Sequence, residues 1–252
     1  PLVADGSAQS CQKAIAKAGG LYVKQGLKAA QLCLKTLQAS GPPADPIGLC
    51  AGSTAAVAPA DGKAAAAFTK AASKLRGLVT AKCSDTAVAA LGLCAATAAG
   101  LGDCLLATHH QAIVDALAHQ YGNLEPSADP DVRKCQAAIG KNVAGYLSAY
   151  LKASAKCLDQ RNKSATPGDG AELCIGAVSG SFVPPTDARV AEALLKATGK
   201  LSAKVSSACS EDGVAALDAC AGNKADLIDC LVCSQRRLAF EQVRADESNA
   251  GY

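Results

Sequence analysis

Methionine and tryptophan are absent from the 252 residues, and three phenylalanines and five tyrosines are the only aromatics. A core without those side chains has to be built from small ones, and the chain carries 56 alanines. Alanine lets helices approach closely but buries little area, so at roughly 25 cal/mol per Å² such a core is weak for its length. No uninterrupted apolar run approaches the ~20 residues that a membrane-spanning helix needs. There is no Gly-x-Ser-x-Gly elbow and no P-loop. With no nucleophile, acid–base pair or oxyanion site to name, the chain is not expected to be an enzyme or to hold a cofactor. A net charge of +3 is too small to imply nucleic acid as a partner, and eight aromatics make no stacking platform for bases or sugars.

The missing methionine carries one further expectation. A primary translation product begins with Met, whereas this chain starts at Pro1. The simplest account is a signal peptide removed before Pro1, giving a secreted protein, extracellular or at the cell surface.

What is abundant is cysteine, with thirteen residues. That density points to disulfides and an oxidising compartment. Each disulfide adds about 2–4 kcal/mol, which makes up for a weak core. Their positions repeat. Cys11, Cys33, Cys50, Cys83, Cys94 and Cys104 are separated by 22, 17, 33, 11 and 10 residues. Cys135, Cys157, Cys174, Cys209, Cys220 and Cys230 are separated by 22, 17, 35, 11 and 10. Cys11–Leu34 and Cys135–Leu158 are identical at 11 of 24 positions, including Tyr22 and Tyr146. The spacing predicts an all-α tandem duplication of a disulfide-stapled helical module, with about four helices in each copy. Copy 1 covers residues 1–124. Copy 2, with a C-terminal tail, covers 125–252. The extra two residues of copy 2 lie between Cys174 and Asp187, around Pro184-Pro185, and the seam is a short proline-bearing stretch over 122–130.

Small and apolar residues at Cys11, Ile15, Ala18, Tyr22, Gly26, Ala29 and Cys33 mark one long helix with an 11-residue repeat. Its two cysteines are about 33 Å apart at 1.5 Å per residue, so each must staple its own end to something else. A second long helix starts at the N-cap residues Asp61 and Asp187 and ends at Cys83 and Cys209. A short helix follows Ser84-Asp85, and a last helix begins near Asp103, or Asp229 in copy 2. Antiparallel packing of the two long helices favours Cys11–Cys83, Cys33–Cys50 and Cys94–Cys104, with Cys135–Cys209, Cys157–Cys174 and Cys220–Cys230 as counterparts. Many other pairings are open to six cysteines.

Cys233 is the odd one, with Ala107 at its matching position. As Cys-Leu-Val-Cys with Cys230 it lacks the strand pattern of a redox motif and the second pair of a zinc site. Two readings stand: a buried free thiol and an intermolecular disulfide. His109, His110 and His119 match Gln235, Arg236 and Ala245, and no carboxylate cluster accompanies them, so no metal site is expected. Asp115 and His119 form an ordinary helix-surface pair. Lys13, Lys17, Lys24, Lys28 and Lys35 make a lysine stripe on the first helix. It is partly kept at Lys134, Lys141, Lys152 and Lys156, and it reads first as a solvated face and second as a seat for an anionic polymer, a phosphate-rich surface or an acidic neighbour subunit. Asn162-Lys163-Ser164 is an N-glycosylation sequon.

The function this architecture permits best is an extracellular structural protein that self-associates, the subunit of a disulfide-stabilised filament or surface layer. A head-to-tail contact like the one between near-identical halves, repeated between chains, propagates without closing. The alternative is a secreted carrier of an apolar small molecule or lipid held in a helical bundle.

Overall fold

The computed structural model of the chain describes residues 6–41, 44–121, 129–164, 170–179, 181–217 and 223–246. Among them are ten helices: α1 (Gly6–Ser40), α2 (Pro46–Ala51), α3 (Gly62–Lys82), α4 (Asp85–Leu91), α5 (Ala98–Tyr121), α6 (Pro130–Ser164), α7 (Gly170–Ile175), α8 (Ala188–Ala208), α9 (Glu211–Leu217) and α10 (Lys224–Asp246). The described residues are all-helical apart from one antiparallel hairpin, β1 (Ala177–Ser179) with β2 (Ser181–Val183), in which Val178 pairs with Phe182. The hairpin lies in the Cys174–Asp187 stretch that carries the two extra residues. The central helices α1 and α6 are both 35 residues long, and α3 and α8 both 21.

Local chemistry explains most boundaries. The Asp61 carboxylate accepts from the Ala64 N–H at 2.7 Å, and Asp187 accepts from the N–H groups of Arg189 and Val190. Each satisfies donors that a helix start leaves orphaned. Both helices end where Cys83 and Cys209 turn extended. Two features differ from the sequence expectation. First, there are more than four helices per half, because α2 and α7 are short helices carrying Cys50 and Cys174. The start of α2 is set by the Asp45 cap and by Pro46, whose missing N–H costs nothing in a first turn. Second, α5 and α10 start five residues before Asp103 and Asp229. Thr97 Oγ1 accepts from the Gly100 N–H and Asn223 Oδ1 from the Asp226 N–H. In addition, Asp85 reaches the Ala98 N–H at 2.8 Å and Glu211 the Lys224 N–H at 3.1 Å. A cap supplied from 13 residues upstream leaves no local signal.

The long helices form two layers. In the first, α3, α1, α6 and α8 lie in a row, α1 and α6 at the centre. In the second, α5 packs against α1 and α3, α10 against α6 and α8, and α5 against α10. Lys13 meets Asp159 while Gln31 meets the Gly140 carbonyl, so α1 and α6 run antiparallel. The halves therefore meet antiparallel, not head to tail as their repetition in sequence suggests. Glutamines fasten the seam. Gln31 donates to Gln120 Oε1 and to the Gly140 carbonyl, and Gln136 donates to the Gln120 carbonyl at 2.7 Å.

Candidate functional site

The helix pairing brings the cysteines together. Antiparallel α1 and α3 join Cys11 to Cys83, with Cα atoms 4.6 Å apart, and α6 and α8 join Cys135 to Cys209 at 4.5 Å. The short helices return Cys50 to Cys33 and Cys174 to Cys157, and Cys94 bonds Cys104. Cys230 is also disulfide-bonded, and its expected partner Cys220 lies outside the described residues. The seam stretch 122–128 lies outside them too. Five intrachain disulfides in a helical chain fit an oxidising environment.

Cys233 is free and exposed. This overturns the buried-thiol reading. Its side of α10 also carries Asp226, Asp229, Arg237 and Glu241, all exposed. Leu227, Leu231 and Leu238 form the apolar face of α10, and Cys233, two residues past Leu231, falls on the other side of the helix.

The histidines divide. His119 is exposed, and Asp115 takes its hydrogen bond from Gln111 at 2.8 Å. His109 and His110 are both buried, because α5 is covered by α1 and α3 on one side and α10 on another. The Tyr22 hydroxyl and His110 Nδ1 are 3.1 Å apart, and His110 Nε2 lies 3.4 Å from the Gly52 carbonyl. Burial pushes the Tyr22 phenol up to about 12, against a smaller pull from Arg76. At the matching place in the second half, Arg236 Nε donates to the Tyr146 hydroxyl at 3.0 Å. No three His, Cys, Asp or Glu side chains gather as metal ligands among the described residues.

Burial also lowers the His110 pKa, outweighing the hydrogen bond to Gly52. The folded protein thus prefers neutral His110. The unfolded chain binds a proton below the ordinary value of about 6.5. Stability contributed by His110 is whole above that pH and is lost as pH falls toward the lowered value. The thermal midpoint should decline between pH 7 and 5, and His110→Gln should flatten that decline when both proteins are melted across the series.

The lysines of α1 are the residues left over once its other faces are covered. Lys13, Lys17, Lys24, Lys28 and Lys35 are all exposed, on the side turned away from α5. On α6, Lys134, Lys141, Lys152, Lys156 and Lys163 are exposed in the same way. Antiparallel packing lays the two stripes side by side. A single carboxylate sits between them. Burial alone would raise the Asp159 pKa, but hydrogen bonds from Lys163 at 3.0 Å and Lys13 at 3.3 Å outweigh it and hold the group below its usual value. Among the described residues no carboxylate pairs with the other eight lysines. Like charges one turn apart repel by about 0.7 kcal/mol in water before salt screening, so the face is under mild electrostatic load.

The small net charge conceals this separation. Of the 25 Lys and Arg residues, 21 lie in α1, α3, α6 and α8, which hold three of the 22 acidic residues. The face deepens between α6 and α8 into two adjoining hollows of about 320 and 440 Å³, lined by Lys152, Lys156, Arg161, Lys163 and Arg189 over an alanine floor. Neither is an enclosed apolar cavity of the kind a lipid carrier needs. In the first half the places of Lys156 and Arg161 are held by Leu32, 63% exposed, and by Leu37.

The sequon is closed. Asn162 is buried where α6 meets α1; its Nδ2 donates to Gln12 Oε1 and its carbonyl accepts from Gln9. A glycan on that nitrogen would displace α1, so the folded chain does not accommodate one. No helix of the described residues is long and apolar enough to cross a membrane.

No protein-family model, no curated protein and no solved structure matches the chain, so these residues and their geometry alone carry the functional argument.

Proposed function

We propose that the chain is a tandem duplication, 1–124 and 125–252, and that it is a secreted structural protein: a rigid helical block that assembles with copies of itself into a filament or surface layer. Exchanged side-chain sizes support the duplication. Gly26 leaves room for Phe68 and Ile113, into which a Cβ at position 26 would run. The matching second-half positions hold Tyr150, Leu194 and Ala239, all buried. Volume removed at one place is returned at its neighbours, as close packing requires of two descendants of one core.

The observation that carries the assembly reading is Cys233, an exposed thiol in a chain whose other described cysteines are all bonded. In an oxidising environment an exposed odd cysteine finds a partner on another molecule. One thiol per chain makes a covalent dimer. Longer assemblies then need a second contact between such dimers, one that repeats without closing. The dense disulfides keep the block folded outside the cell. The carrier alternative draws no support from the open, lysine-lined hollows.

Unreduced protein should run as a dimer on a gel without reductant, collapse to one chain with dithiothreitol, and stay monomeric as Cys233→Ser. Negative-stain images of the unreduced protein should contain filaments or sheets. Uniform monomers with about one titratable thiol per chain would defeat the reading.

A further inference from the structure

We propose that the lysine face shared by α1 and α6 is a binding surface for an acidic polysaccharide, held through its carboxylates or sulfates by charge. The inference deepens the assembly reading and rests on it only for its location outside cells. The two stripes become one surface because α1 and α6 pack side by side with both stripes turned to solvent, which sets ten lysines beside two carboxylates, Asp159 between the stripes and Asp131 at the start of α6. A 35-residue helix is about 50 Å long, so the surface is a strip suited to a linear chain. Both stripes are lysine, and arginine enters the face only in the hollows between α6 and α8, as Arg161 and Arg189. Ammonium groups are hydrated point charges on flexible stems, suited to irregular anions rather than to the bidentate reading of fixed ones.

The competing polyanions fit less well. Tyr22, Phe68, Tyr121, Tyr146, Tyr150 and Phe240 are all buried, so none of them offers a ring to an unstacked base. An anionic bilayer would be met by inserted apolar side chains, yet only Leu21 and Leu32 are exposed on α1 and no large one on α6 among the described residues. The location also completes an arrangement. Cys233 lies on the opposite layer, so a dimer joined there would turn both lysine faces outward and could tie two polysaccharide chains together.

The test uses the full chain as Cys233→Ser, which removes covalent assembly from the measurement. Heparin serves as the sulfated probe and alginate as the carboxylated one, with duplex DNA and phosphatidylserine vesicles as rivals. Affinity for at least one polysaccharide should fall about tenfold or more from 50 to 300 mM salt. Combining Lys24→Glu, Lys28→Glu, Lys141→Glu and Lys152→Glu should weaken binding by about tenfold or more, and the four glutamine substitutions by a few-fold. The same number of glutamates at Lys70, Lys74, Lys200 and Lys204, on the outer helices, should change it by less than about twofold. Circular dichroism verifies that each variant is folded, and the glutamine set decides if the glutamate set is not. Equal weakening by the outer set, tighter binding to DNA or vesicles, or no polysaccharide binding at 50 mM salt would overturn the proposal. A dimer that fails to form while the lysine set behaves as expected would refute the assembly reading alone.

Discussion

Replacing Gly26 by tyrosine is expected to cost the protein more than about 3 kcal/mol, because the new ring has no space to occupy. Gly26 sits on the α1 face against α3 and α5, where Phe68 and Ile113 already fill the volume. The second half holds the opposite solution in Tyr150 with Leu194 and Ala239, and the Tyr150 hydroxyl donates to the Ile175 carbonyl at 2.5 Å. Copying that solution, with Phe68→Leu and Ile113→Ala, creates a cavity that alone should cost about 3–5 kcal/mol. The triple variant should then be more stable than either parent variant, with a coupling of about 3 kcal/mol between the two changes. Thermal melts of the four proteins close the cycle. Simple additivity would mean that the two trios do not occupy matching environments, and the duplication would lose its packing argument.

The second large effect belongs to the long disulfides. Cys11–Cys83 closes a separation of 72 residues and Cys94–Cys104 one of 10. Loop-closure entropy grows with the logarithm of loop length, giving about 4 kcal/mol for the first and about 3 for the second. The serine pair at Cys11 and Cys83 should therefore lower the thermal midpoint by on the order of 10 °C, and by more than the pair at Cys94 and Cys104. The long links also tie α1 to the end of α3 and α6 to the end of α8, where the core is alanine-rich and area is scarce. If the short link proved to matter more, the main work of these bonds would lie in fixing the α4–α5 turn rather than in restricting the unfolded chain.

Helix content was legible in the sequence because it is written locally. The step of three and four residues from Cys11 to Cys33 is the period of a helix. Asp61 and Asp187 are caps that act on the next three residues, and both helices begin there. The cysteine spacing likewise needed only counting. The starts of α5 and α10 were misplaced by five residues because Asp85 and Glu211 supply part of the cap from 13 positions away. The short helices α2 and α7 were missed because six residues are too few to display a period.

The candidate site was legible only in pieces. Amino-acid order alone determined a helical, alanine-rich, cysteine-stapled chain with a lysine period on its first helix and one cysteine left over. Tertiary structure decided what those pieces mean. Antiparallel packing of α1 on α6 merged two stripes into one basic face and closed the Asn162 sequon against Gln12, while the packing of α5 and α10 over the first layer buried His109 and His110 and left Cys233 exposed. A local window shows which residues share a face of their own helix. Which face meets solvent is settled by the neighbours, because each helix covers whatever apolar area the others leave open and the uncovered remainder becomes the surface.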